Sequence, residues 1–131
     1  MRRLVLMFLV LFCLGCKDGP KEFTDYDKDD FFEVQGIVVE VDMGDSEFGK
    51  ISTDVCYYYN LSEDKPSLGC ELNCPLLPEI DDPIIVMIHK DDPDIAFVNR
   101  LGVLEQDRAY LREYLDKKAK NIEVNSNRDA N

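Results

Sequence analysis

Residues 51–61 (ISTDVCYYYNL) alternate without a break. Ile51, Thr53, Val55, Tyr57, Tyr59 and Leu61 share one phase, and Ser52, Asp54, Cys56, Tyr58 and Asn60 share the other. A period of two is the pleat of a β-strand, since a helix would scatter both sets around its axis. The first set is apolar, so this strand must lie in a sheet that buries that face. It is the firmest constraint on the fold.

The rest of the chain extends the pattern. Residues 31–43 (FFEVQGIVVEVDM) put Phe32 and Val34 in one phase and Ile37, Val39 and Val41 in the other, with Gly36 between them. A glycine at a phase change predicts a β-bulge, and hence one long bent strand of the kind that turns a barrel corner. Residues 44–49 read as a hairpin loop. The stretch from 62 to 83 is too long to lack structure, so a short strand is expected near residues 67–72, before the irregular run Asn73-Cys74-Pro75-Leu76-Leu77-Pro78. After Pro83, residues 84–89 (IIVMIH) form a continuous apolar run, typical of a strand buried on both faces. Asp91-Asp92-Pro93-Asp94 turns the chain into residues 95–98 (IAFV).

A helix is predicted over residues 104–120. Leu104, Leu111 and Leu115 line one side and Tyr110 and Tyr114 broaden it, with Glu113 and Lys117 paired at i,i+4. Several short strands followed by one helix give a mainly β (α+β) class. The expected form is a small antiparallel β-barrel or rolled sheet, OB-like, capped by that helix. The order of a tyrosine-rich strand, a Gly-containing hairpin, an apolar strand and an Asp-Pro turn, over residues 55–98, is similar to small envelope-associated β domains of unknown function. That resemblance has no diagnostic motif and assigns no residue roles.

The N-terminus addresses location. Arg2-Arg3, an apolar run of about eleven residues from Leu4 to Leu14, and the small residue Gly15 are the parts of a secretory signal peptide. The run is well short of the about 20 residues a membrane-spanning helix needs. Leu14-Gly15-Cys16 resembles the lipobox of bacterial lipoproteins, with Cys13 where that motif usually carries leucine. The resemblance implies cleavage after residue 15, and a Cys16 carrying thioether-linked diacylglycerol, with a further amide-linked chain such as palmitate. Two or more chains anchor a protein stably to a membrane without crossing it. Lys17-Asp18 looks like the export signal of surface lipoproteins in Bacteroidetes-type bacteria, which points to the outer membrane, on either face.

Cleavage would remove Arg2 and Arg3 and no acid. The formal charge then moves from −12 to −14, with 13 bases against 27 acids in 116 residues. Such a chain is repelled by nucleic acid and by anionic lipid, so phosphate-backbone binding is excluded. The expected organisation is a signal peptide at 1–15, a lipidated flexible tether at 16–30, one β domain with its helix at 31–120, and a disordered tail at 121–131.

Candidate chemistry is sparse. An envelope compartment permits disulfides, and Cys56, Cys70 and Cys74 allow one bridge in three pairings. A bridge from Cys56 to Cys70 or Cys74 would tie the tyrosine strand to the long loop, whereas Cys70–Cys74 would close a much shorter one. Adding His89 would make a Cys3His zinc set, which an oxidising compartment disfavours. Glu79, Asp81 and Asp82, with Asp91, Asp92 and Asp94, could offer calcium its oxygen ligands, but they lack the spacing of a calcium loop. Tyr58 points away from its neighbours and is the candidate partner or ligand contact.

Catalysis is not expected. The single histidine, His89, has no serine or cysteine close in sequence, and no glycine-rich phosphate loop occurs. The expectation is a non-catalytic, membrane-anchored envelope lipoprotein without cofactor or metal that binds another protein. A module for a small ligand, glycan or calcium is the alternative, as is an acidic inhibitor or immunity protein acting on a basic enzyme.

Overall fold

The computed structural model describes residues 21–45 and 51–128. The predicted leader, Cys16, the tip of the first hairpin and the last three residues lie outside the described residues. Five strands form one antiparallel sheet: β1 (Phe31–Asp45), β2 (Ile51–Tyr59), β3 (Ser67–Glu71), β4 (Pro83–His89) and β5 (Ala96–Leu101). Their order is β3-β2-β1-β4-β5. Among the described residues one α-helix, α1 (Arg108–Arg128), follows a 3-10 turn at Glu105–Asp107. Among the described residues no helix is long and apolar enough to cross a membrane.

β1 is central because its length serves two partners. Phe31 to Ile37 pair with β4, and Gly36 to Asp45 pair with β2. The predicted alternation of β2 holds: Val55, Tyr57 and Tyr59 join Val38, Ile84, Val86 and Ile88 in the main core. Cys74 is buried in that core, and Leu76 packs against it.

The opposite face is also covered. Ile37 and Ile85 are buried there with Gln35, and Leu111 of α1 is buried as well. Tyr58, on this face, meets Tyr114 of α1 edge-on, with ring centroids 6.3 Å apart.

This second buried face corrects the expected bulge. Gly36 stays in register with both Tyr59 and Ile84, and the irregularity falls between Val38 and Glu40. Ile37 is out of phase with Val34 because it packs on the helix side, not because the strand shifts at Gly36. The glycine answers to crowding: a Cβ there would lie 2.8 Å from Val86 Cγ2 and 3.0 Å from the Tyr58 carbonyl oxygen.

The two edge strands, β3 and β5, do not pair, so the sheet is not closed into a barrel. Side chains span the gap instead. The Glu71 carboxylate accepts from the Val98 backbone N–H at 2.7 Å. Tyr57 Oη donates to the Ala96 carbonyl at 3.3 Å and Tyr59 Oη to that of Pro93 at 3.4 Å.

Both ends of the ordered domain extend past the expected limits. Within the expected tether, Phe23–Asp25 and Lys28–Asp30 form 3-10 turns. Phe23 packs 5.1 Å from Phe31 and 5.6 Å from Phe97, and Tyr26 packs 5.7 Å from Phe31 and from His89. Two aromatics in a charged run make no period, so the sequence pattern did not reveal them. At the other end α1 continues past Lys120 to Arg128, through most of the expected tail.

Candidate functional site

Cys56 and Cys70 form the disulfide, one of the pairings expected from the sequence. They are direct partners in the β2–β3 register, and their Cα atoms are 4.1 Å apart, as suits a narrow cross-strand pair. The bridge staples the short edge strand β3 to β2. Cys74 is free and buried. Its N–H donates to the Thr53 carbonyl at 2.7 Å, which holds it on the core side, away from the disulfide. Burial pushes the Cys74 thiol up, opposed by a backbone hydrogen bond at Leu76.

The zinc set does not assemble. Two of its cysteines are bonded to each other, and His89 lies against Tyr26 and Phe31. Among the described residues no cluster of His, Cys, Asp and Glu could hold a metal ion. The acidic turns are explained by their own hydrogen bonds: Asp82 accepts from the Glu79 N–H at 2.8 Å and Asp92 from the Asp94 N–H at 3.2 Å.

The core face carries polar groups that the sequence pattern did not flag. Glu71 is opposite Val55 and therefore points inward with Tyr57. Burial raises its carboxyl above the ordinary range, while the Val98 N–H pulls the other way. Burial, aided by the charge of Glu71, raises the Tyr57 phenol as well. The ring of Tyr57 lies over Gly69, where a Cβ would come within 2.8 Å of Cε2. Any larger residue at 69 would displace that ring.

On the helix face, Gln35 is the organising residue. Its Nε2 donates to the carbonyls of Gly36 and Ile84 at 2.9 Å and of Gly102 at 3.2 Å, and its Oε1 accepts from the Leu104 N–H at 2.7 Å. The chain leaving β5 is thereby pinned to β1, and this sets where α1 begins. Gly102 has φ +145°, a conformation glycine adopts at low cost. A polar residue in a strand phase otherwise held by Ile37 was the available sequence signal.

Between α1 and the β2–β3 connection lies an open groove of about 520 Å³. Leu61, Pro66, Tyr110, Tyr114 and Ile122 supply its apolar surface, and Glu113, Lys117 and Asn121 its polar rim. Tyr58, the expected contact residue, is half-buried under the helix, and its partner Tyr114 reaches the groove. Lys118 of α1 pairs with Asp81 of the β3–β4 connection. Residues 119–125 of the helix are exposed throughout, including Ile122 at 60% and Val124 at 54%. No protein-family model, curated protein or solved structure matches this chain.

Proposed function

We propose that this chain is a non-catalytic envelope lipoprotein, anchored through acyl chains on Cys16, whose β domain binds another protein through the groove beneath α1. Export is supported by the Cys56–Cys70 disulfide, a bond that persists outside reducing compartments. The sheet is read here as an OB-like barrel left open between β3 and β5. Its strand order and the Glu71–Val98 bond across the gap support that reading.

The observation that carries the binding role is the overhang of α1. A stretch of helix without tertiary packing is marginal in water, yet this one presents Ile122 and Val124 beside a groove walled by two tyrosines. Tyrosines at an apolar groove with a polar rim are what protein interfaces favour. The strongly acidic chain suits a basic partner.

The test is photo-crosslinking in the producing cell. A crosslinking residue at Ile122 is expected to give a discrete adduct that weakens with Tyr110→Ala and with added salt. The same residue at Glu40, exposed on the sheet, should give none. Identical products from both positions would contradict the reading.

A further inference from the structure

We propose that the segment from Phe23 to Tyr26 shortens the lipid tether to a strap, and that the strap holds the His89 end of the domain toward the bilayer. The inference rests on the proposed acylation of Cys16. A tether free up to residue 30 would let the domain search about 20 Å in any orientation. That freedom is reduced because Phe23 and Tyr26 are seated against Phe31, Phe97 and His89. The seating is locked further on, where the Lys90 N–H donates to the Asp30 carbonyl at 2.8 Å and Lys90 Nζ to that of Asp29.

Only residues 17–22 separate Cys16 from Phe23. Fully extended, that length covers about 25 Å at most. β1 runs away from this point, so Phe32 lies at the anchored end and Met43 up to about 35 Å along the strand. The anchored end is also dense with exposed carboxylates, from Glu22 to Asp30 and again at Asp91, Asp92 and Asp94, against Lys21, Lys28 and Lys90. Neutral headgroups let this end approach the bilayer, and anionic lipid pushes the domain outward.

The chain contains no tryptophan, so single-tryptophan variants of the mature lipidated protein report without background. In neutral vesicles carrying a fluorescent headgroup acceptor, energy transfer from F32W should exceed that from M43W severalfold, given their separation along β1. Adding F23A and Y26A together should bring the two toward equality. Anionic lipid at low salt should lower transfer from F32W, and salt should restore it. Equal transfer from both positions, a ratio unchanged by F23A/Y26A, or closer approach on anionic lipid would overturn the proposal. Intact mass of the same samples separates the two readings. An unmodified Cys16 removes the anchor itself, whereas acylated protein with equal transfer removes only the orientation.

Discussion

The carboxylate of Glu71 and the backbone N–H of Val98 are joined by a 2.7 Å hydrogen bond that crosses the gap between the two unpaired edges of the sheet. One strand edge thus satisfies a main-chain donor of the other without a ladder. Its cost is a carboxylate held partly out of water, which is why burial raises the Glu71 carboxyl.

A carboxyl raised on folding contributes its full stability below its unfolded pKa and loses it as pH rises through the folded value. Wild type is therefore expected to weaken relative to Glu71→Gln as pH climbs above the ordinary 4.5. The glutamine keeps an acceptor for Val98 and removes the charge. Glu71→Ala, which leaves that N–H without its partner, should cost about 1–3 kcal/mol. Urea unfolding of the three proteins between pH 4 and pH 8 measures both effects.

Gln35 makes a contrasting case, because it is buried, neutral and fully bonded. Gln35→Ala is expected to cost about 2–4 kcal/mol, as several main-chain groups lose partners in a dry site. Gln35→Glu should be worse still, since it replaces the donating amide by a charge beside three carbonyls. Thermal unfolding checks the ranking, and a glutamate variant more stable than the alanine would refute it.

Reducing the Cys56–Cys70 bridge reopens a loop with a sequence separation of 14 and should cost about 3 kcal/mol. Cys74 should behave differently from both partners. Buried, with its thiol pushed up, it is expected to resist alkylation in the native protein and to react once the chain unfolds. Mass-resolved alkylation with and without urea reads this directly.

Gly36→Ala should destabilise by about 1–3 kcal/mol, the usual cost of overpacking. The added Cβ would press on the Tyr58 carbonyl at 3.0 Å as well as on Val86, and a backbone atom in a central strand does not move aside. The midpoint of chemical unfolding is the measurement. A midpoint equal to wild type would show that the crowding at this position is relieved.

β2 was legible from its alternation of apolar and polar faces and β4 from its continuous apolar run. β3 and β4 fall close to their expected limits. The reading of β1 went astray at Gly36 because both of its faces are buried, so a change of phase no longer implied a bulge. Phe23 and Tyr26 were hidden in a run of charges, since their packing depends on Phe31, Phe97 and His89, which come from three different strands. The disulfide partners were legible as a set, but choosing Cys70 over Cys74 required the register of β3. The groove under α1 had no sequence signal beyond two tyrosines at helical spacing, because its other wall is a loop.

The most direct measurement is the intact mass of the protein taken from the membranes of the cell that makes it. The expected mass is that of a chain beginning at Cys16, heavier by its acyl groups and lighter by the two hydrogens of one disulfide. A mass that retains residues 1–15, or a Cys16 with a bare thiol, would contradict it.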